Sequence, residues 1–151
     1  MLSTAYDLPV RVFLPVLALV AAAVAGGAPA ASTLPQIRTP SGNIGCYYAS
    51  KEQGIPANLR CDIRTGLKPK PPRPKKCVDL EWGDSYELQL TGRTAITCHG
   101  DTAIDPRAPV LRYGKTWRRG GFTCKSLRIG LRCHNPRGRG FFMSKQHSYR
   151  F

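Results

Sequence analysis

The stretch FTCKSLRIGLRC at residues 122–133 is the most informative segment of this sequence. Residues 122–124 and 131–133 have strand-like composition, each of these segments ends in a cysteine, and a turn falls near Leu127 to Gly130. A disulfide between neighbouring antiparallel strands suits cysteines placed in this way. The stretch therefore predicts a β-hairpin in which Cys124 is bonded to Cys133.

The chain contains six cysteines, and an even number in an exported protein is typical of a disulfide framework. We predict sequential pairing because strand-like segments flank each pair: Cys46 with Cys61, Cys77 with Cys98, and Cys124 with Cys133. Each bridge would stabilise the domain by about 2–4 kcal/mol. Zinc binding is the alternative, but the chain has no C-x-x-C motif and cysteine stands beside histidine only as an adjacent residue. We therefore predict no metal and no cofactor.

Short segments of alternating apolar and polar residues recur outside this hairpin and predict further strands. In residues 59–63, Leu59, Cys61 and Ile63 share one face, which leaves Arg60 and Asp62 on the other face. The remaining strand-like segments are residues 44–49, 87–90, 94–98 and 110–113, and a segment around Trp117.

Helical periodicity is missing from the residues after position 30, where Gly or Pro interrupts every long window. We therefore predict a small all-β fold, stapled by disulfides and with little helix. Its antiparallel hairpins would form a curved sheet, a sandwich or an open barrel. The aromatic C-terminal segment, residues 138–151, is expected to close the core.

Residues 1–30 have the pattern of a cleaved signal peptide. Arg11 precedes an uncharged run at residues 12–25, which as a helix is too short for a bilayer, and residues 28–30 form an A-x-A cleavage motif. We expect cleavage after Ala30 and no transmembrane anchor afterwards. Residues 31–151 would form one β-rich domain, secreted to the periplasm or the cell exterior and either free or associated with the envelope.

The formal net charge is +14, and Arg11 and Asp7 cancel within the predicted signal peptide, so the mature domain keeps all of it. Such a charge attracts polyanions by steering and counterion release, and it also favours solubility. The first hypothesis is an exported or envelope-associated, non-catalytic binding module for an anionic partner, such as nucleic acid, wall polymer or acidic lipid. The proline-rich residues 68–76 predict an extended basic segment that is either a docking site or a spacer. The candidate binding residues are Lys68, Lys70, Arg73, Lys75 and Lys76 in that segment, and Trp117, Arg118 and Arg119.

The alternative hypothesis is a small exported hydrolase such as a nuclease. His99 would act as acid or base, Asp101 would orient it, and His134 would be a second proton-transfer group. The sequence has no G-x-S-x-G motif, and cysteines in disulfides cannot act as nucleophiles. Asp101 and Thr102 can also be explained as turn residues that bond nearby backbone amides, so we favour a protein that is not an enzyme. A third hypothesis is an inhibitor or toxin, but no residue in the sequence specifically favours it.

Seven short motifs follow one another along residues 39–142: TPSGNIGC at 39–46, LRCDI at 59–63, CHGDT at 98–102, YG at 113–114, GFTCKS at 121–126, GLRCHN at 130–135 and GFF at 140–142. In these motifs the chain resembles an uncharacterised family of small exported bacterial domains, found largely in actinobacteria, whose function is undetermined. The resemblance implies export and a disulfide-bonded domain, and it assigns no catalytic residue.

Overall fold

The computed structural model describes residues 35–52 and 54–151, so the predicted signal peptide at residues 1–30 lies outside the described residues. The described residues form ten strands and no helix, which confirms the all-β prediction. This part of the chain accordingly offers no helix with the length and apolar character needed to cross a membrane.

Five strands form the N-terminal sheet, an antiparallel meander in which each strand pairs with its neighbours in sequence. Segments 44–49 and 59–63 and the hairpin around Gly92 are strands as predicted, because alternating side chains can place one face against a core. The strands are β1 (Gln36–Arg38), β2 (Ile44–Ala49), β3 (Asn58–Ile63), β4 (Ser85–Gln89) and β5 (Thr94–Ile96).

Five further strands form the C-terminal sheet, which is a second antiparallel meander with β6 and β10 at its edges. The predicted hairpin at 122–133 is its central pair, and Trp117 lies in the strand beside that pair. The strands are β6 (Thr116–Arg119), β7 (Phe122–Leu127), β8 (Gly130–His134), β9 (Gly140–Met143) and β10 (Ser148–Arg150).

Both sheets contribute to one hydrophobic core, which is the arrangement of a sandwich. Leu59 and Leu88 of the N-terminal sheet are fully buried in the same cluster as Phe122, Leu131 and Phe141 of the C-terminal sheet. Each such side chain contributes about 1.5–3 kcal/mol by leaving water. Of the three arrangements that the sequence left open, the structure therefore has two separate sheets around a common core.

The three disulfides pair sequentially, as the sequence predicts. Cys46 and Cys61 face each other across β2 and β3, and Cys124 and Cys133 do so across β7 and β8, so each bridge joins the second and third strands of a sheet. These four cysteines are buried in the common core. Cys77–Cys98 lies outside the regular strands and ties the end of the basic segment to the residues after β5.

The prediction of a regular strand at residues 110–113 is wrong. Only Val110 forms a bridge, which is parallel and runs to Arg38 at the end of β1. Arg38 donates to the carbonyl of Pro109 and accepts from the amide of Leu111. Pro109 has no amide hydrogen to extend a ladder, and β1 itself ends at Arg38, so the pairing stops after one bridge.

Arg60 and Asp62 lie on the face of β3 opposite its core residues, as alternation predicts, and this outer face is buried as well. Loop residues that follow β5 cover this outer face of the N-terminal sheet. The backbone amide of Ala103 and the side chain of Asp101, both from that loop, bond to Asp62 and Arg60 respectively.

Candidate functional site

The basic segment, residues 68–76, has no regular secondary structure, and hydrogen bonds hold it in place at both ends. At its start the carbonyl of Lys68 accepts a 2.5 Å hydrogen bond from the amide of Ser148 in β10. At its end Arg73 donates from Nε to the carbonyl of Cys77 at 2.6 Å and from its guanidinium to the carbonyl of Val78. The segment therefore contacts the C-terminal sheet at one end and the disulfide Cys77–Cys98 at the other.

Three of the predicted cations, Lys68, Lys70 and Arg73, line a groove of about 490 Å³ that we call the Trp82 groove. The Lys70 ammonium lies 3.7 Å from the centroid of the Trp82 ring, and the Arg73 guanidinium carbon lies 5.4 Å from it. A Cβ on Gly83 would come within 2.8 Å of Lys70 Cε, so glycine is needed for lysine to lie over the ring. The other predicted cations of the segment, Lys75 and Lys76, are exposed outside this groove.

Sequence reasoning missed Trp82. The signal that could have found it is a tryptophan within a few residues of a disulfide that anchors a run of cations. Cations within about 6 Å of a ring centroid are attracted by the negative face of the ring. The ring therefore holds part of the cationic segment in a defined position.

The structure does not bring His99, Asp101 and His134 together. His99 Nε2 lies 2.9 Å from Asp84 Oδ1, so the carboxylate that contacts this histidine is Asp84 and not the predicted Asp101. His134 lies at the end of β8 in the other sheet, where its Nδ1 is 3.1 Å from the carbonyl oxygen of Asn135. Among the described residues no hydrogen bond joins any two members of the predicted set.

His99 is a buried residue that contacts Asp84, one of the residues lining the Trp82 groove. Its backbone pairs with Glu81, and Glu81, Asp84 and His99 place one ligand atom each within 4.8 Å of one another. Two features oppose a divalent cation here: the imidazole Nε2 already contacts Asp84, and the groove beside it carries several cations. The buried Nδ1 of His99 has no hydrogen-bond partner within the described residues.

Asp101, whose side chain is 77% exposed, joins the buried ion pair of Arg60 and Asp62 in a network that alternation of side chains did not reveal. Arg60 donates to Asp62 through Nε and Nη2, at 3.0 and 2.8 Å, and to Asp101 through Nη1 at 2.9 Å. Burial by itself lowers the pKa of Arg60, but the hydrogen bonds to the two carboxylates outweigh it and the pKa is raised. The hydrogen bond from Arg60 and its charge lower the pKa of Asp101. The network holds the loop after β5 against the N-terminal sheet.

The second predicted cluster lies on the edge strand β6, and its members point in different directions. Trp117 is half-buried and packs against the common core, whereas Arg118 and Arg119 are exposed. In the described part of the chain no cation lies over the Trp117 ring. This cluster therefore presents guanidinium groups without an aromatic partner.

The outer face of the C-terminal sheet carries aromatic side chains that the sequence analysis assigned to the core. Phe141 does lie in the core, but Tyr149 and Phe151 remain 44% and 38% exposed. His147 is also exposed, and its ring stacks on Tyr149 at an interplanar angle of 2°. Arg132 in β8 lies over the Phe151 ring, 3.9 Å from the centroid. We call this row of rings, together with Arg132, the aromatic face.

The basic segment adjoins the aromatic face. Pro69 and Pro71 line a shallow groove of about 300 Å³ together with Ser148, Tyr149 and Arg150 of β10. The hydrogen bond between Lys68 and Ser148 holds the two parts in place. Cations of the basic segment and rings of the aromatic face are therefore neighbours on one surface.

Charge is distributed unevenly between the two sheets. Residues 106–151, which include the whole C-terminal sheet, contain twelve lysines and arginines and no aspartate or glutamate. Across the described ranges, the only arginine or lysine side chains that pair with a carboxylate are Arg60 and Arg107. The positive charge of the C-terminal sheet is therefore uncompensated, and counting acidic residues along the sequence would have revealed this.

The fold and these surfaces define a disulfide-stapled, two-sheet β domain with one strongly cationic sheet. The chain belongs to a family of unknown function, DUF6636, whose family model matches residues 12–151. Comparison with curated proteins and with solved structures finds no match.

Proposed function

We propose that this protein is an exported, non-catalytic binding module whose C-terminal sheet and neighbouring basic segment bind an anionic polymer. The observation that carries the proposal is the absence of any aspartate or glutamate from residues 106–151 beside twelve lysines and arginines. A surface selected for solubility usually mixes both signs of charge, because interspersed acids and bases limit self-repulsion. Charge of one sign gathered on one sheet suits long-range attraction of a polyanion.

Export is supported by the three disulfides, which persist in oxidising compartments, and by the signal-peptide pattern of residues 1–30. Partners outside the cytoplasm include nucleic acid, anionic wall polymers and acidic headgroups. The hydrolase alternative has less support, because His99 contacts Asp84 while Asp101 contacts Arg60, so the predicted pair is not formed.

The test is a binding titration of the oxidised protein against RNA, DNA, wall polymer and anionic vesicles across a salt series, with turnover followed in the same samples. Arg118→Ala/Lys125→Ala removes two exposed cations from the C-terminal sheet, and Lys68→Ala/Lys70→Ala removes two from the Trp82 groove. The matched control, Lys51→Glu, changes the net charge by the same amount at an exposed position away from both surfaces.

We expect the two double variants to weaken binding and to reduce the slope of log affinity against log salt by roughly two, because each lost phosphate contact removes about 0.9 from that slope. The control should keep the parent slope. Binding to no polyanion, or an equal loss in all three variants, would refute a localised cationic site. Hydrolysis of any polymer in the panel would favour the enzyme hypothesis instead.

A further inference from the structure

The aromatic face has a regular geometry. His147, Tyr149 and Phe151 are alternate residues along and beside the edge strand β10, so their side chains share one side of the sheet. The ring centroids of His147 and Tyr149 are 6.0 Å apart, and those of Tyr149 and Phe151 are 6.2 Å apart. The three rings therefore form a continuous row along the sheet edge.

The row is not part of the core that holds the sheets together. Phe142 supports it from the adjacent strand β9, with its ring centroid 5.1 Å from His147 and 5.4 Å from Tyr149. Phe142 is buried, yet it lies outside the common core cluster, because the rings of the row cover it on the outer face. An exposed group of aromatic rings on a sheet face is typical of an interaction surface.

Cations flank the row. Arg132 lies over Phe151 and its Nη1 is 3.5 Å from the Tyr149 hydroxyl, while Lys125 stands opposite Arg132 in the neighbouring strand and is exposed. Arg150 is exposed on β10 itself. The surface thus offers flat apolar ring faces beside positive groups, in a region without aspartate or glutamate side chains.

We infer that the aromatic face binds single-stranded nucleic acid by stacking unpaired bases on Tyr149 and its neighbours, while Arg132 and Lys125 contact phosphates. Unpaired bases are flat and stack on aromatic side chains and guanidinium planes. A duplex hides the faces of its bases, and phosphate-rich wall polymers and lipid headgroups have no such faces. The inference rests on the proposed function and narrows its anionic polymer to one class.

The experiment compares three ligands of the oxidised protein: a single-stranded oligonucleotide, its abasic counterpart with the same backbone, and its duplex. Tyr149→Ala removes the central ring of the row, and Tyr149→Phe keeps a ring in place. Tyr113→Ala is the matched control, because Tyr113 is an exposed tyrosine with Arg128 5.6 Å from its ring centroid, outside the row.

We expect the single strand to bind more tightly than the abasic strand and the duplex. Tyr149→Ala should weaken single-strand binding by roughly 5- to 100-fold, the range measured for loss of one base–aromatic stack, and should leave abasic binding unchanged. Tyr149→Phe should restore the parent affinity, and Tyr113→Ala should not lower it. In a Tyr149→Trp variant, single strands should quench fluorescence and abasic strands should not.

Equal affinity for all three ligands, unaffected by Tyr149→Ala, would overturn the inference and leave the proposed function standing, as charge alone would then explain binding. Tighter binding to anionic vesicles than to any nucleic acid would overturn the inference in favour of a membrane surface. Failure to bind any polyanion would overturn the proposed function as well. A folding defect in Tyr149→Ala cannot imitate the expected pattern, because it would weaken binding of the abasic strand as well.

Discussion

Replacing Asp62 by alanine removes the centre of the buried ion-pair network. The Asp62 side chain is 1% exposed and that of Arg60 is 7% exposed, so neither charge is screened by water. Loss of one partner of a buried ion pair typically costs about 3–5 kcal/mol. The hydroxyl of Ser85, at 2.6 Å, and the amide of Ala103, at 2.7 Å, would also lose their acceptor. Asp101 still pairs with Arg60, which limits the loss, so we expect about 3–4 kcal/mol, or roughly half the stability of a typical small domain.

The assay is urea unfolding of the oxidised protein followed by tryptophan fluorescence. The control is Asp105→Ala, because Asp105 pairs with Arg107, whose side chain is 89% exposed, and such surface pairs contribute about 1 kcal/mol or less. In the double variant Arg60→Leu/Asp62→Leu no buried charge remains, so it should be more stable than Asp62→Ala alone. If Asp62→Ala costs no more than the control, the network does not hold the loop and the reasoning is refuted.

Three further predictions concern the bridges, acid stability and backbone geometry. Cys124→Ala/Cys133→Ala should lose about 2–4 kcal/mol in urea unfolding, and an unchanged midpoint would mean that the bridge constrains nothing. Arg60 lowers the pKa of Asp101 in the folded protein. The ionised Asp101 therefore stabilises the fold above the pKa that it has in the unfolded chain, and this stabilisation is lost as the pH falls through its pKa in the folded protein. The loss of stability between pH 5 and pH 2, about the range where carboxylates titrate, should therefore be smaller in Asp101→Asn, and identical slopes would contradict this. Gly130→Ala should cost about 1–3 kcal/mol more than Gly138→Ala in thermal or urea unfolding. Both glycines have positive φ, but only at Gly130 would a Cβ meet a carbonyl oxygen, that of Met143 at 2.3 Å; equal losses would show that backbone strain alone matters.

Local patterns were enough to predict strands β2 to β8 and the disulfide pairing, but not β1, β9 or β10. β2 and β7 are short alternating segments that each carry one cysteine, and the cysteine that follows lies in the next strand of the same meander. Pairing between consecutive strands depends on nearby residues and on short connections, so it leaves a signal in the order of the residues. The same reasoning located the cations at 68–76, although not the tryptophan that orders them.

Long-range packing decided which charged side chains contact one another and which side chains are buried. Asp84 rather than Asp101 contacts His99, and Asp101 instead reaches Arg60, forty-one positions away, because a loop folds over the outer face of the N-terminal sheet. That loop buries Arg60, whereas the corresponding outer face of the C-terminal sheet keeps Tyr149 at the surface. Period-two alternation assigns a side chain to one face of a strand, but it carries no information about what covers that face. The sequence by itself therefore determined an all-β, disulfide-stapled and cationic protein, and only the tertiary structure decided which charged residues are buried and which aromatic rings are available to a partner.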